Sequence, residues 1–460
     1  MPIDPVLSAF DRVLHTQPAC EIVRSPTRRV DARELDAMAH RVADLLAASV
    51  SGRGRLIGLD APNGPTLLAA YLALRRCGCA PLLLDYAAPL DDKRRALATL
   101  GAVGTVRASD VWGEQTDGFQ FESVASSTTA CEPGDEVGAV KLTSGSSGAP
   151  RGVVTSATAL AADEDQLWRS MELRSSDKLL VAIPLTHSYG FSSLLLPALM
   201  RGTTLIVADE PGPLAPLQAA QLCGATFFPT VPAWLAALVK MGSPPAWPDS
   251  LRLVVAAGAV LPAAVAAHFR AAFGLPVHVF YGASECGGIA YDRRGDAAEH
   301  GSVGTPVDGV RVEINEDGLV SVQSPAVASG YLGEASDRLQ PGRFISGDLA
   351  VWDRDSLVLR GRTDDVINVK GKKFSPREVE AVIAEMPGVD DVAVLSVTGL
   401  NEAAVVRAVV ATTHPELSYE AVVSWCRTRL ADHKVPRSVL LVAELPRTTR
   451  GKLDRAALSA

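Results

Sequence analysis

The sequence contains few cysteines, no long apolar run and no excess of basic residues, and each shortage excludes a class of protein. Its seven cysteines are scattered and odd in number, which indicates reduced thiols in a cytosol and not a disulfide framework. The longest apolar run, Leu253–Ala267, includes Gly258 and Pro262 and is too short to cross a bilayer. The N-terminal residues lack the apolar segment of a signal peptide. We therefore expect a cytoplasmic protein with no membrane contact.

The charge balance argues against a nucleic-acid partner. The formal net charge is −8, so the chain as a whole does not attract polyanions, although a local basic cluster is compatible with a nucleotide. Hydrophobic residues make up 47% and charged residues 21%, which is typical of a globular protein. A length of 460 residues exceeds one ordinary core. We expect two or more domains, in a monomer or homodimer.

The order of predicted elements changes near Asp348. Before it, short β-rich runs alternate with Ala- and Leu-rich helical stretches, which predicts α/β layers. After it come a hairpin at Val351–Leu359, a polar break that begins at Gly361, and a helix at Ser375–Met386 whose Ser375 and Glu378 have capping-box spacing. We predict a large N-terminal domain of layered α/β subdomains (1–361) and a small C-terminal α+β domain (362–460). Among the predicted helices and strands are Asp31–Ala48, Gly64–Arg76, Ala157–Met171, Leu56–Leu59, Pro81–Leu84 and Leu253–Ala256.

A Gly/Ser-rich loop is the first candidate for chemistry. Residues 140–154 read VKLTSGSSGAPRGVV. Glycines let the backbone approach an anion, hydroxyls add donors, and Arg151 supplies a fixed positive charge. The spacing differs from the Gly-x4-Gly-Lys-Ser/Thr loop of common nucleotide hydrolases, and a flexible linker is the alternative interpretation. The candidate phosphate contacts are Thr143, Ser144, Gly145, Ser146, Ser147, Gly148 and Arg151.

This loop resembles the TSGTTGxPKG signature of the adenylate-forming superfamily, which comprises acyl- and aryl-CoA ligases, peptide-synthetase adenylation domains and luciferases. Arg151 stands where the family usually has Lys. Further segments resemble other motifs of the family in the same order. They are LRRCGCAPLLLDYAAP (74–89), PLTHSYG (184–190), FYGASE (280–285), SGD (346–348), GRTDDVINVKGKKFSPREVE (361–380) and LPRTTRGKLDR (445–455). The resemblance implies an ATP-dependent enzyme that activates a carboxylic acid as an acyl-adenylate.

The resemblance also assigns nucleotide contacts. Tyr281 offers a ring on which adenine stacks, beside Gly282, and the small residues Gly258 and Ala259 let the base approach the backbone. Ser284 donates to the α-phosphate. The alternative for Tyr281 is a buried core aromatic, and for Gly258 and Ala259 it is simple strand–turn packing.

Three charged residues complete the nucleotide site that the resemblance implies. Glu285 holds Mg2+, which prefers hard oxygen ligands. Asp348 accepts bonds from the ribose hydroxyls, and Arg362 reaches ribose or phosphate. Without the motifs, each would be read as a solvated charge or a turn residue.

Lys452 is the predicted catalytic cation. Carboxylate and α-phosphate are both anionic, so a cation between them stabilises the in-line transition state; the alternative is an exposed lysine. The resemblance places a hinge at Asp364, about which the small domain rotates between two half-reactions. In the second, Lys370 enters the site, Gly371 lines the pantetheine path and Lys373 meets CoA phosphates.

The acid pocket is the least determined part of the site. Ser188 occupies the position where amino-acid-activating relatives have Asp, so an α-amino acid is disfavoured and an aryl or short-to-medium acyl acid is expected. His187 is expected to gate the pocket or to act in the second half-reaction. The predicted pocket residues are Ser188, Tyr189, Gly190, Val231, Ala257 and Ala283.

The thiol acceptor is predicted to be CoA, with the phosphopantetheine thiol of a carrier protein as the alternative. Two other classes of protein are alternatives. A serine hydrolase would use Ser284 in a Gly-x-Ser-x-Cys segment that lacks the last Gly of a nucleophile elbow. A catalytically silent nucleotide-binding relative is disfavoured because Glu285, Asp348, Arg362 and Lys452 are all present.

Overall fold

The computed structural model describes residues 4–113, 118–124, 133–134, 136–144, 150–241, 245–363, 367–369, 372–398, 404–447, 453–454 and 457–458. The chain divides into two compact units, one of residues 1–313 and 321–345 and one of residues 314–320 and 346–460. The predicted boundary between the large domain and the small domain that rotates, at residues 361 and 362, stays a prediction.

The described helices and strands alternate through most of the first unit. Up to Tyr291 they are α1 (Pro5–Thr16), β1 (Glu21–Arg24), β2 (Arg29–Asp31), α2 (Ala32–Ser49), β3 (Leu56–Asp60), α3 (Pro65–Arg76), β4 (Ala80–Leu83), α4 (Leu90–Leu100), β5 (Gly104–Ala108), β6 (Phe119–Ser123), β7 (Val137–Ser144), β8 (Pro150–Ser156), α5 (Ala157–Ser170), β9 (Lys178–Leu180), α6 (Ser188–Gly190), a π-helix (Phe191–Leu195), α7 (Leu196–Arg201), β10 (Thr204–Ile206), α8 (Ala215–Cys223), β11 (Phe227–Thr230), α9 (Pro232–Val239), β12 (Leu253–Ala256), α10 (Ala263–Phe273), β13 (Val277–Ala283) and β14 (Gly287–Tyr291).

Strands dominate the rest of the chain. They and the remaining helices are β15 (Thr305–Pro306), β16 (Arg311–Ile314), β17 (Leu319–Gln323), β18 (Gly330–Tyr331), β19 (Leu339–Gln340), β20 (Arg343–Asp353), β21 (Ser356–Arg362), β22 (Ile367–Val369), β23 (Lys372–Phe374), α11 (Pro376–Ala384), β24 (Asp391–Thr398), β25 (Ala404–Ala411), α12 (Tyr419–Arg427), a 3-10 helix (Asp432–Lys434) and β26 (Ser438–Val442).

Two large sheets form the frame of the first unit. One has the strand order β18-β8-β7-β4-β3-β5-β6 and the other β15-β14-β13-β12-β11-β9-β10-β1-β2. Their central pairs are parallel, including β3 with β4, β4 with β7, and β11 with β12. Every residue of β3, β4, β11 and β12 is buried, as expected of parallel strands covered on both faces. The predicted α/β layering is confirmed.

Local sequence signals account for many of the element ends. Asp31 caps α2 in a capping box with Glu34, and Gly101 ends α4 with a φ of 70°, a conformation that glycine adopts without a Cβ penalty. The strand predicted at Leu253–Ala256 has those bounds in the structure. The helices predicted at Asp31–Ala48 and Gly64–Arg76 differ from the observed ones by a single residue at their ends.

The second unit contains the hairpin of β20 and β21, in which Asp348 pairs with Arg362 and Asp353 with Ser356. Its turn includes Arg354, whose φ is 54°. The predicted break was expected to begin at Gly361, and this start is wrong because β21 continues through Gly361 to Arg362.

A three-stranded sheet, β24-β25-β26, forms the core of the second unit with α11 and α12. Ser375 and Glu378 make the predicted capping box at the start of α11. Trp425 Nε1 on α12 donates to Val382 O on α11 at 2.7 Å. The α+β character predicted for the C-terminal part is therefore confirmed.

Candidate active site

The predicted pocket residues follow three neighbouring strands. β11, β12 and β13 are adjacent and parallel, so their carboxyl ends meet at one edge of the sheet, where α/β proteins bind ligands. Val231 follows β11, Ala257 follows β12, and Ala283 is the last residue of β13. The Ala257 N–H donates to Thr230 O at 3.1 Å. The structure thus brings these pocket positions together.

The segment after Pro184 enters a helix with an unusual start. Ser188–Gly190 form one α-turn, and Phe191–Leu195 form a π-helix, a feature that often marks functional sites. Gly190 cannot carry a side chain here, because an added Cβ would lie 2.2 Å from Pro184 O.

His187 is oriented by a buried acid. Its Nε2 lies 3.1 Å from Asp85 Oδ2, and the Asp85 side chain is only 6% exposed. Asp85 Oδ1 accepts the Ala87 N–H at 3.0 Å. Asp85 lies within the 74–89 segment, yet the sequence predicted no role for it. The available signal was its position just beyond the buried strand β4.

Tyr189 forms a fixed aromatic wall. Its ring stacks on Phe280 with centroids 5.0 Å apart and planes at 26°, and its hydroxyl donates to Val255 O at 3.2 Å. Burial raises the pKa of Tyr189 well above its ordinary value, so it stays neutral at physiological pH.

Two predicted segments meet through Ser188 and Ser284, whose hydroxyl oxygens are 2.7 Å apart. Ser188 belongs to the acid-pocket segment, and Ser284 follows β13 with Tyr281 and Gly282 on that strand. The hydrolase alternative gains no support, because this bond joins Ser284 to a hydroxyl and His187 is bonded to Asp85.

Gly258 has a φ of 85°, which favours glycine, and no heavy atom of the described residues, other than its own and those of its two chain neighbours, lies within 4 Å of the position a Cβ would take. Ala259 follows it on the same loop, and both lie beyond the end of β12. The open space beside Gly258 is compatible with the predicted approach of a base.

Glu285 is held by Tyr331 at the turn between β13 and β14. The Tyr331 hydroxyl donates to Glu285 Oε1 at 3.0 Å, and burial, reinforced by the Glu285 charge, raises the pKa of Tyr331. Arg151 Nη2 pairs with Glu334 Oε1 at 2.9 Å, and its guanidinium lies 4.6 Å from the Tyr331 ring centroid. Thr143 pairs in register with Arg151 across β7 and β8.

The fit of Mg2+ rests on Glu285. Among the described residues, no group of three or more His, Cys, Asp or Glu side chains could hold a metal. Mg2+ usually takes one or two carboxylates, substrate phosphates and waters. A single carboxylate near the strands that flank the predicted phosphate loop fits that pattern, and Glu285 has a second oxygen besides the one bonded to Tyr331.

The turn that carries Glu285 is also supported by Asp163, for which the sequence predicted no role. Asp163 on α5 is 2% exposed, and its Oδ1 accepts the Gly288 N–H at 2.9 Å. Gly287 must be glycine, because its φ is 70° and a Cβ would lie 2.1 Å from Asp163 Oδ1. Asp163 stands in a run of three acidic residues, which is typical of an exposed helix face, so the sequence did not indicate that it is buried.

Lys141 is a second residue that the sequence did not reveal. It is 2% exposed, and burial lowers its pKa even though Asp163, Cys286 and Glu285 act in the opposite direction. Burial likewise raises the pKa of the Cys286 thiol well above its ordinary value. The signal in the sequence that Lys141 is buried was its position between the apolar residues Val140 and Leu142 of β7.

In the second unit, Asp348 and Arg362 face each other across the hairpin. Arg362 Nη1 lies 3.6 Å from Asp348 Oδ1, and the Asp348 N–H donates to Ser346 Oγ at 3.0 Å. The two predicted ribose contacts are therefore neighbours, and both make further interactions.

Several predicted residues lie outside the described part of the chain, and their roles stay predictions. Ser144 and Lys373 are on described strands, but their side chains are not described. The others are Gly145, Ser146, Ser147, Gly148, Asp364, Lys370, Gly371 and Lys452.

With this geometry in view, the comparisons with known proteins decide the family. The sequence model of the AMP-binding enzyme family matches residues 10–332, and that of the AMP-binding enzyme C-terminal domain matches residues 378–452. The chain belongs to the AMP-binding enzyme family. Its membership of the adenylate-forming superfamily, predicted from the motifs, is confirmed.

Two curated relatives extend this result. Feruloyl-CoA synthase of an Amycolatopsis species is 29% identical and covers 91% of both chains. Long-chain-fatty-acid–CoA ligase FadD13 of Mycobacterium tuberculosis is 28% identical over 94% of this chain and 92% of its own. The prediction of an AMP-forming acid–thiol ligase is confirmed, and these relatives do not favour the carrier-protein alternative.

The fold is shared with solved structures. The amide bond synthetase McbA from Marinactinospora thermotolerans superposes with a TM-score of 0.84, at 26% identity and 99% coverage of each chain. This shared fold confirms the prediction of a large N-terminal domain and a small C-terminal domain. Within the described residues, we find no helix of the length and apolarity that a membrane span requires.

Proposed function

We propose that this AMP-binding enzyme activates an aryl or short-to-medium acyl acid with MgATP and transfers the acyl group to CoA. The observation that carries this proposal is the 2.7 Å hydrogen bond between Ser188 and Ser284. It joins the predicted acid pocket to the turn that carries the predicted α-phosphate and metal contacts. The named relatives, which are CoA ligases, support the same acceptor.

In the first step, a carboxylate oxygen attacks the α-phosphorus, the bond to the bridging oxygen breaks, and pyrophosphate leaves. Ser284 donates to the α-phosphate, and Glu285 would hold Mg2+, which supplies charge neutralisation to the phosphates when bound. The 143–151 loop holds the pyrophosphate side, with Arg151 as its cation. Lys452 stabilises the charge that builds between the two anions.

In the second step, the CoA sulfur attacks the acyl carbon, the bond from that carbon to the AMP oxygen breaks, and the thiol proton is released. We assign the rotation between steps to Asp364 and the thiol path to Lys370, Gly371 and Lys373. His187 gates the acid pocket, with its ring held by Asp85 at 3.1 Å.

The pocket wall supports the proposed acid class. The stacked Tyr189 and Phe280 rings favour a planar or apolar acyl group, since aromatic pairs prefer offset stacking. No acid lies among Thr186–Ser193, so this segment offers no carboxylate to a substrate ammonium. An α-amino acid is accordingly disfavoured.

The test is acid-dependent ATP–pyrophosphate exchange over a panel of aryl and aliphatic acids, followed by mass detection of CoA thioesters. Exchange with aryl or short acids and a thioester product are expected. Exchange without a CoA thioester would redirect the second step to another acceptor. Absence of exchange with every acid would refute the proposal.

Lys452→Ala separates the two half-reactions. Loss of a cation placed at the developing charge is expected to reduce adenylation by about 10²–10³-fold, while thioester formation from supplied acyl-AMP stays largely intact. Lys240→Ala, an exposed lysine on the first unit, is the control. Equal loss of both steps in Lys452→Ala would contradict the assignment.

A further inference from the structure

A chain of contacts links the predicted metal ligand to the strand that leaves the phosphate loop. The Tyr331 hydroxyl donates to Glu285 Oε1 at 3.0 Å. The Arg151 guanidinium carbon lies 4.6 Å from the centroid of the same tyrosine ring, and Arg151 Nη2 also pairs with Glu334 at 2.9 Å. Tyr331 therefore contacts both the acid and the cation.

Backbone pairing fixes Tyr331 in this place. β18 is antiparallel to β8, with Tyr331 opposite Val153, and the Leu332 N–H donates to Gly152 O at 2.8 Å. Just before β18, the Ala328 N–H donates to Glu285 O, also at 2.8 Å. The segment from 328 to 332 is thus bonded to the Glu285 turn at one end and to the Arg151 strand at the other.

The hydrogen bond from Tyr331 restricts the Glu285 carboxylate. A neutral hydroxyl that donates to a carboxylate makes a charge-assisted bond, which is stronger than a bond between neutral groups. One oxygen of Glu285 is thereby fixed, and the other keeps a defined direction in which to meet a hard cation. Groups that orient a metal ligand in this way typically contribute about 10–100-fold to metal affinity or activity.

The geometry also explains why arginine suits position 151. A planar guanidinium stacks on a ring face and still donates sideways to a carboxylate, whereas a lysine ammonium is a point charge that lacks the planar fork. Arg151 does both, with the Tyr331 ring and with Glu334. The residue that departs from the usual motif is therefore the one that packs on the ring holding Glu285.

We propose that Tyr331 is a positioning residue for Glu285, and that Arg151 holds the Tyr331 ring in place, so that position 151 acts on metal binding through Tyr331 as well as through its own charge. The proposal rests on the proposed function for the role of Glu285. It concerns how the carboxylate is oriented and does not assign Tyr331 a part in the chemistry.

Tyr331→Phe tests the hydroxyl while keeping the ring. The full chain is titrated with Mn2+ in the presence of a non-hydrolysable ATP analogue, and free Mn2+ is measured by electron paramagnetic resonance. We expect about 10-fold weaker Mn2+ binding, with unchanged binding of the analogue in the absence of metal. Tyr419→Phe, at a tyrosine that is 41% exposed in the second unit, is the matched control and should bind Mn2+ like the wild type.

Arg151→Lys tests the stack. We expect about 3-fold weaker Mn2+ binding from loss of the ring contact, and little further loss when it is combined with Tyr331→Phe, because the hydroxyl that the stack positions is then absent. Wild-type Mn2+ affinity in Tyr331→Phe, or full additivity in the double variant, would overturn the proposal. If Mn2+ binds as expected but no acid supports exchange, the proposed function fails and the positioning role stands.

Discussion

The turn at Ser284–Gly288 and the hairpin of β20 and β21 both carry predicted ATP contacts, but they are held in different ways. Buried or half-buried partners surround the turn: Ser188 at 2.7 Å, Tyr331 at 3.0 Å and Asp163 at 2.9 Å. In the hairpin, the Asp348–Arg362 pair is 3.6 Å long and the Arg362 side chain is 47% exposed. The contacts of the turn are buried or half-buried, whereas Arg362 is exposed and can exchange its partner for a ligand at a small cost in free energy.

This difference matters because burial changes how much a polar contact contributes to the free energy of unfolding. Removing the partner of a buried N–H costs about 1–3 kcal/mol, whereas an exposed ion pair contributes about 0–1 kcal/mol. Substitutions in the turn should therefore affect both folding and activity. Substitutions in the hairpin should affect ligand binding alone.

Asp163→Ala is expected to have the largest effect on stability. It leaves the buried Gly288 N–H without its acceptor and should reduce the free energy of unfolding by about 1–3 kcal/mol, measured as a lower melting temperature. Asp165→Ala, on the same helix with a side chain 52% exposed, is the control. An equal melting temperature for the Asp163 variant and the wild type would remove the contrast between turn and hairpin.

Arg362→Gln tests the hairpin in the same comparison. Its stability should change by less than about 0.5 kcal/mol, while loss of a charged contact to ribose or phosphate should raise the KM for ATP by about 10-fold, or about 1.4 kcal/mol. Arg360→Gln, an exposed arginine on the same strand, should leave the KM unchanged. A large fall in stability would show that the hairpin pair is structural.

Lys141→Met should have a smaller effect that depends on pH. The pKa of Lys141 is lowered from 10.5 by burial, so between that lowered pKa and pH 10.5 the unfolded state binds more protons. Wild-type stability therefore falls as the pH decreases through this window. A Met side chain removes this term, so the free energy of unfolding of the variant at pH 7 should exceed that of the wild type by about 1 kcal/mol, measured as a higher melting temperature. This gain should shrink as the pH rises toward 10.5.

Lys240→Met, at an exposed lysine, should show no such trend. A Lys141→Met variant less stable than the wild type at pH 7 would mean that the ammonium is needed by Asp163 and Glu285 more than its burial costs.

Much of the fold followed from local patterns in the sequence. Ser375 caps the helix that it was expected to cap, and β12 has its predicted bounds, because capping and buried apolar runs are local signals. The end of β21 was misjudged because Gly361 suggested a break, while strand pairing with Leu349 keeps it in the sheet.

The site was only partly predictable. The motifs indicated Glu285, His187 and Ser188, but their partners came from distant segments: Tyr331, Asp85 and Ser284. Such pairs depend on tertiary packing, which a single sequence does not encode at any fixed spacing. Asp163 is a further case, since a helix that contains Asp163, Glu164 and Asp165 looks solvent-facing until its packing is known.

The π-helix at Phe191–Leu195 has a consequence for how this pocket can change. A π-turn closes its hydrogen bonds over one residue more than an α-turn, so the wide turn absorbs one extra residue while the helix on either side keeps its register. Deletion of one residue within the π-helix should therefore leave Ser188 and Tyr189 beside Ser284 and Phe280, whereas deletion of a residue from a regular α-turn shifts the register by about 100°. This turn is accordingly the place in the segment where chain length can change with the least effect on the predicted acid pocket.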